Sequence, residues 1–189
     1  VEVQTALPSI AYRETITGKA EGHARHKKQS GGSGQFGEVY LRIEPLERGG
    51  GFEFVNKVVG GSIPTQYIPA VEAGAKEFMD AGPLGFPVVD LSVTLTDGQF
   101  HAVDSNEMSF KMAGRLAFRD AMSRARPTLL EPVMHVEIYA PSDFAGDLMG
   151  DLNSRRGRIA GMETRGALTS IKAQVPMAEM LTYEQQLTS

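Results

Sequence analysis

The sequence of 189 residues contains no cysteine, which excludes disulfide bonds and metal sites that depend on thiolate ligands. No apolar run approaches the ~20 residues of a membrane-spanning helix, and residues 1–10 have neither the basic flank nor the apolar core of a signal peptide. Hydrophobic residues make up 41% and charged residues 22% of the chain, as in ordinary globular proteins. We therefore expect a cytoplasmic protein without a membrane partner, long enough for one large domain or two smaller ones.

The patterns of common catalytic sites are also absent or incomplete. The phosphate-binding pattern G-x-x-x-x-G-K-[ST] does not occur in the chain. Residues 32–37 have the spelling of the dinucleotide motif GxGxxG, but the residues that follow alternate like a strand, whereas that motif opens a helix. His101, Asp104 and Ser105 lie close in sequence, yet a catalytic triad is defined by geometry, and no serine stands in a G-x-S-x-G elbow. We predict no catalytic site in this chain.

Metal ligands are scarce as well. The chain has four histidines, at positions 23, 26, 101 and 135, and none stands in an HExxH pattern or beside a cysteine. We predict neither a metal ion nor another cofactor for this chain.

The charge of the chain is unevenly distributed. A net charge of −4 argues against a uniform attraction to nucleic acid. Residues 11–130 include 14 basic and 14 acidic side chains, and residues 131–189 include five basic and eight acidic ones. A contact with RNA would therefore use a local patch, and residues 23–28, which read HARHKK, are the candidate.

This basic segment leads into a glycine-rich loop, residues 29–35. Glycine permits a positive φ angle and a close approach of the backbone to a ligand, and neighbouring backbone N–H groups in such a loop can face phosphate oxygens. A flexible linker is the alternative interpretation. The candidate RNA-binding residues in this region are Arg25, His26, Lys27, Lys28, Gln29, Ser30, Gly31, Gly32, Ser33, Gly34 and Gln35.

A second polar stretch, residues 99–106, joins a predicted strand to the strongest predicted helix, residues 105–124. Asp104 is expected to cap this helix, with Glu107 three residues later as in a capping box. His101 has no such structural task, so we expect it to contact a ligand. The candidate residues of this stretch are Gln99, His101, Asp104, Ser105 and Asn106.

The helix over residues 105–124 is predicted to be amphipathic. Arg115 and Arg119 lie four positions apart and share its polar face. The predicted apolar stripe consists of Met108, Met112 and Leu116, extended by Phe118 and Met122.

The rest of the first half alternates strands with a helix. Residues 38–44 and 52–55 have period two and flank the glycines at 49–51, a pattern that indicates an antiparallel hairpin. A helix is expected from residue 69 to residue 82, because proline fits its first turn and the Gly–Pro pair ends it. Residues 88–95 are predicted to form a strand.

A second module is predicted from residue 131. Its expected order is a strand over 133–139, a helix over 142–155 with Phe144, Leu148 and Leu152 on its apolar face, a hairpin of 158–162 and 168–175, and a helix over 177–187. One more strand would complete a ferredoxin-like βαββαβ unit. We therefore expect a truncated module whose open edge frays or pairs with a neighbour.

Arg155 and Arg156 lie at the end of the helix predicted in this module. Interaction with the helix dipole before a glycine C-cap explains them, and contact with an RNA backbone explains them equally well. Both interpretations stay open at this point.

Several segments, in this order along the chain, resemble bacterial elongation factor G. They are residues 11–15 (AYRET), 28–37 (KQSGGSGQFG), 60–64 (GGSIP), 101–105 (HAVDS), 129–133 (LLEPV), 146–153 (GDLMGDLN) with 155–157 (RRG), and 175–180 (VPMAEM). The resemblance covers nearly the whole chain.

The resemblance implies an α+β fold of two modules. Residues 11–130 would be the family's fourth domain, a ribosomal-protein-like fold with a left-handed βαβ crossover against the usual right-handed rule. Residues 131–189 would be the fifth, ferredoxin-like domain without its last strand, and residues 1–10 would end the third domain. The GTPase domain, with its GTP and magnesium, would lie outside this chain.

The resemblance also implies a function. In this family the tip of the fourth domain enters the decoding region of the small ribosomal subunit and promotes GTP-dependent translocation of tRNA and mRNA. Residues 29–35 and 99–106 would be the two tip loops, with His101 central to the second, and the fifth domain would face rRNA of the large subunit. The implied partners are the ribosome, tRNA and mRNA, and the protein would act as a monomer.

Other interpretations stay open. Residues 23–28 and Ser33 depart from the family's frequent pattern, which often has a basic residue within the first loop, and they also suit paralogues that recycle or protect ribosomes. A free-standing RNA-binding protein would fold without needing a further strand. A small-molecule kinase of related fold would need a glycine loop that opens a helix, whereas this loop leads toward a strand.

Overall fold

The structure, a computed structural model, describes residues 2–4, 6–29, 31–181 and 183. Arg13–Leu130 form one unit, the first module, and residues 131 onward group with the segment that precedes residue 13 to form the other. Residues 2–4 have no regular secondary structure, and the assignment of residues 1–10 to a preceding domain stays a prediction. None of the helices in the described ranges combines the length and apolarity that a bilayer span requires.

The first module contains six strands and two α-helices among its described residues. Strands β2, β3, β5 and β4 form a four-stranded sheet in that spatial order, and β1 pairs with β6 in a separate two-stranded ribbon. In chain order the elements are β1 Arg13–Ile16, β2 Ala20–Lys28, β3 Gln35–Pro45, β4 Phe52–Asn56, α1 Ile68–Asp80, β5 Leu91–Gln99, α2 Glu107–Arg124 and β6 Pro127–Leu130.

The predicted hairpin of residues 38–44 and 52–55 is wrong. Strand β3 pairs with β2 and β5, and β4 lies parallel to β5, to which α1 connects it. Alternation identifies a strand but not its partner. Strand β5 lies beside β3 because its residues Leu91, Val93 and Leu95 are fully buried in this position, as suits a central strand.

Strand β5 is predicted to start at residue 88, but it begins at Leu91. Asp90 explains both this late start and the position of the turn after β3. Its φ angle of +63° interrupts the extended backbone, and its carbonyl accepts the N–H of Leu46 at 2.9 Å. Its carboxylate accepts the N–H of Gly51 at 2.9 Å and lies 3.3 Å from Arg48. Burial raises the pKa of this carboxyl group, but the hydrogen bonds from Gly51, Gly49 and Arg48 outweigh it and hold the pKa below its ordinary value.

The predicted apolar stripe of α2 is correct for Phe118 and Met122, which are fully buried, and wrong for its other three members. Met108 is 59% exposed, and Met112 and Leu116 are only partly buried. The helix packs on both the sheet and α1, and small residues allow this close approach. Its fully buried hydrophobic residues are Phe110, Ala113, Ala117, Phe118, Ala121 and Met122.

The second module has the order β7 Val133–Pro141, α3 Ala145–Ser154, β8 Arg158–Arg165 and β9 Leu168–Pro176. The three strands form an antiparallel sheet in the spatial order β7-β9-β8, so the predicted hairpin is confirmed. Leu152 of α3 packs with the inner face of this sheet, which includes Ile138 and Ile171.

Two helix predictions in this module need correction. The helix was expected from residue 142, but its first turn is a 3-10 turn, Ser142–Phe144, and Phe144 is 57% exposed rather than part of the apolar face. Of the helix predicted over 177–187, the structure shows a 3-10 turn, Met177–Glu179. Residues 182 and 184–187 lie outside the described residues.

Candidate nucleic-acid interface

The first candidate loop connects β2 to β3. Lys28 and Gln35 are the last directly opposed pair of these strands, so residues 29–34 form the connection, of which residue 30 lies outside the described residues. Lys27, Lys28 and Gln29 are exposed. No acidic side chain in the described part of the chain forms an ion pair with either lysine, so both cations are available to an outside partner.

The second candidate loop folds around His101. The His101 backbone N–H donates to Ser105 Oγ at 2.8 Å, and the Ser105 N–H donates to the His101 carbonyl at 3.0 Å. The ring Nδ1 accepts from the N–H groups of Val103 and Asp104, both at 3.3 Å. Asp104 Oδ2 lies 3.6 Å from the same nitrogen. In a neutral ring whose Nδ1 accepts, Nε2 carries the proton, and the half-exposed ring (55%) can then donate a hydrogen bond to an outside partner.

The structure brings the two loops together at one end of the first module. The Phe36 N–H, at the start of β3, donates to the Asp104 carbonyl at 3.1 Å, and Ser105 Oγ donates to the Phe36 carbonyl at 2.8 Å. A Cβ added at Gly34 would lie 2.9 Å from the Asp104 carboxyl carbon, so a side chain at this position would force the Asp104 carboxylate to shift.

The start of α2 differs from the prediction. The helix begins at Glu107, and its N-cap is Asn106, whose side chain accepts the Ser109 N–H at 2.8 Å. Asp104 and Ser105 are therefore not caps. They are bound into the loop, because their backbone and hydroxyl groups contact Phe36 and His101. Asn106 has the extended backbone that an N-cap needs.

Side chains on β2 and β3 add a cluster that the sequence analysis did not identify. The Glu38 carboxylate lies 3.3 Å from His23 and 3.6 Å from Arg25, and it accepts from the Tyr40 hydroxyl at 2.9 Å. The last hydrogen bond raises the pKa of Tyr40. The rings of His23 and Tyr40 stack with centroids 4.3 Å apart.

Period-two alternation along β2 could have shown this cluster, because it places His23, Arg25 and Lys27 on one face. Arg25 also lies over the ring of Phe36, 5.3 Å from its centroid. His26, on the opposite face, is hydrogen-bonded to Gln35 at 2.8 Å. Arg25 and His26 thus stabilise the base of the loop, whereas Lys27 and Lys28 point to no described partner.

Arg155 and Arg156 are engaged within the second module. The side chain of Arg155 is only 10% exposed and lies 3.1 Å from the Asp151 carboxylate, with its guanidinium over the ring of Tyr183. Arg156 makes two hydrogen bonds to the Glu131 carboxylate and one to Glu179. The hydrogen bonds from Arg156 hold the pKa of Glu131 below its ordinary value, and Glu131 raises the pKa of Arg156.

Acidic and histidine side chains do not cluster as metal ligands. Within the described ranges, no group of three or more such side chains has the spacing to hold a metal ion.

Comparison with known proteins identifies the family of the chain. Residues 8–126 match the family model described as elongation factor G, domain IV, and residues 128–189 match the model described as elongation factor G C-terminus. The chain belongs to the elongation factor G family. The α+β fold class expected from the sequence is confirmed with it.

Two relatives show how much of a family member the chain represents. An elongation factor G from Aquifex pyrophilus is 53% identical over the whole chain, which covers 27% of that protein. A crystal structure from Thermus thermophilus is 44% identical, with a TM-score of 0.82, and the match covers 95% of this chain and 27% of that one. The chain thus spans about a quarter of the length of either relative.

Proposed function

We propose that this chain is the ribosome-contacting part of a translation factor, and that its two loops act at the decoding region of the small subunit while tRNA and mRNA move. The observation that carries the proposal is the hydrogen-bonded pair of loops at one end of the first module. Membership in the elongation factor G family supports it, as does the name of the Aquifex relative.

The loop residues have two kinds of role in this proposal. Lys27, Lys28, Gln29 and His101 are exposed and would contact RNA, since lysines neutralise phosphates and the His101 Nε2–H donates to an RNA acceptor. Asp104 and Ser105 hold the loops together and would act through His101. The glycines at 31, 32 and 34 permit close approach of the loop backbone.

The remaining functions belong to a larger parent protein. Because the chain spans only 27% of its relatives, we assign GTP binding and hydrolysis, with magnesium, to a domain outside these residues. The parent would act as a monomer in the cytoplasm, and GTP-dependent states would move the first module so that its loops favour one tRNA position over another. The second module would face rRNA of the large subunit. There, Arg156 is half exposed, at 54%, and the buried Arg155 would act by fixing the end of α3.

Single-turnover translocation by the parent protein tests the proposal. His101→Ala and Gln29→Ala are expected to slow translocation while GTP hydrolysis, followed in the same reactions, stays normal. His135→Ala, which removes an exposed histidine from β7, is the matched control and should leave both rates unchanged.

The outcomes separate the possible functions. Slow translocation with normal hydrolysis would locate the action of the loops on tRNA movement. Unchanged translocation in both loop variants, or a parent that does not translocate at all, would refute the proposal and favour a paralogue that recycles or protects ribosomes.

A further inference from the structure

The outer face of α2 carries a row of basic side chains that the tip loops do not involve. Lys111, Arg115 and Arg119 are spaced four residues apart, and all three are exposed. Four residues advance a helix by roughly 6 Å, so the row spans about 12 Å along the axis. Such spacing places the three side chains along one side of the helix.

Ion pairs within the module neutralise this row only in part. Lys111 Nζ lies 3.1 Å and Arg115 Nη1 3.4 Å from the two oxygens of a single carboxylate, that of Glu77 on α1. Arg119 forms no ion pair with a described residue. One negative charge therefore faces three positive charges, on a chain whose net charge is −4.

The same face is accessible and begins beside the tip. A depression of about 210 Å³ is lined by Glu77, Met108, Lys111, Met112 and Arg115, and Met108 is 59% exposed. Helix α2 starts immediately after the second loop, at the N-cap Asn106. Lys111 lies about one helical turn after the start of α2, which places the beginning of the row near the second loop.

We propose that Lys111, Arg115 and Arg119 bind the phosphate backbone of an RNA strand that extends from the tip loops along α2. An arginine side chain matches phosphate with a planar fork of donors, and a row of evenly spaced cations suits a polymer of evenly spaced negative charges. The contact reads no bases, so it adds affinity and orientation without sequence preference. The proposal rests on the proposed function, because it takes ribosomal or transfer RNA as the ligand.

The salt dependence of binding tests this contact. Binding of the 189-residue chain to ribosomes is measured at several salt concentrations for the wild type, Arg119→Gln and Lys19→Gln. Each phosphate contact contributes about −0.7 to −0.9 to the slope of log K against log salt, so Arg119→Gln should make the slope less negative by about that amount. Lys19, 71% exposed on another part of the same module, is the charge-matched control and should leave the slope unchanged.

Three results would overturn the proposal. An unchanged slope for Arg119→Gln, while His101→Ala still weakens binding, would refute the α2 contact and leave the proposed function standing. Failure of the wild type to bind ribosomes would refute both. A slope change with ribosomes that vanishes with both deproteinised ribosomal RNA and transfer RNA would assign this face to an acidic protein instead.

Discussion

Replacement of Ser105 by alanine should loosen both tip loops without unfolding the first module. The Ser105 hydroxyl accepts from the His101 N–H and donates to the Phe36 carbonyl, both at 2.8 Å, so it links the second loop to the start of β3. A hydrogen bond contributes about 0.5–1.5 kcal/mol net, and the loss of both should cost about 1–3 kcal/mol locally. Opening of the loops should then become about 5- to 150-fold more frequent, since 1.4 kcal/mol corresponds to a factor of ten.

Native-state hydrogen exchange is the assay, because it reports local opening separately from global unfolding. The His101 and Phe36 amides should lose protection in Ser105→Ala by about that factor, whereas Ser105→Thr, which keeps the hydroxyl, should lose less. Ser123→Ala removes a single exposed hydroxyl contact near the far end of α2, to the Asp120 carbonyl, and should leave both amides unchanged. Equal protection of His101 in the wild type and Ser105→Ala would refute the assigned role of the hydroxyl.

Three further predictions concern the stability of the fold. Glu14 is 1% exposed and accepts the N–H groups of Leu84 and Phe86. Glu14→Ala removes both hydrogen bonds and should lower the free energy of unfolding in urea by about 1–3 kcal/mol, at about 0.5–1.5 kcal/mol for each bond. A loss below about 0.5 kcal/mol would contradict this. The pKa of Asp90 is lowered in the folded protein, so its carboxylate stabilises the fold above the unfolded pKa near 3.9, and this stabilisation is lost as the pH falls through the folded pKa. Asp90→Asn should therefore be less stable than the wild type at pH 7. The difference in the free energy of unfolding should shrink in urea melts below about pH 4. A constant gap would disprove this linkage. A Cβ at Gly74 would overlap the Lys111 carbonyl, whereas one at Gly150 meets nothing. Gly74→Ala should therefore lower the free energy of unfolding by at least about 1–3 kcal/mol, and Gly150→Ala should raise it by up to about 1 kcal/mol. Equal melting temperatures of the two variants would contradict the packing argument.

Local signals in the sequence were sufficient to locate most helices and the two loops. Helix α1 lies where Pro69 and the Gly82–Pro83 pair predict it, and the hairpin of β8 and β9 lies around the predicted turn at Gly166, whose φ is +62°. These features depend on neighbouring residues alone, through turn chemistry and capping. The resemblance, rather than these local signals, implied that the two loops share one tip.

The features that failed depend on tertiary contacts. Strand β3 pairs with the strand that can be buried on both faces. That strand is β5, whose buried residues lie at Leu91 to Leu95, far from β3 in the sequence. The cap of α2 is Asn106 because Asp104 and Ser105 are already bound to Phe36 and His101. Similarly, the arginines at the end of α3 have the same sequence signal, yet only the fold shows that Arg155 is buried against Tyr183 while Arg156 stays half exposed.

Close backbone contacts make the first module a stiff support for its loops. A Cβ added at Gly22 on β2 would overlap the Ala117 carbonyl of α2, and one at Gly37 on β3 would lie 3.0 Å from the Ser109 carbonyl. Helix α2 therefore rests directly on the two strands that carry the first loop, and the second loop is attached to its first turn. Because packed interiors have low compressibility and transmit strain, a load on either loop passes into the same three elements rather than into separate hinges. The proposed function needs this property, and it depends on glycines that lie outside the two loops.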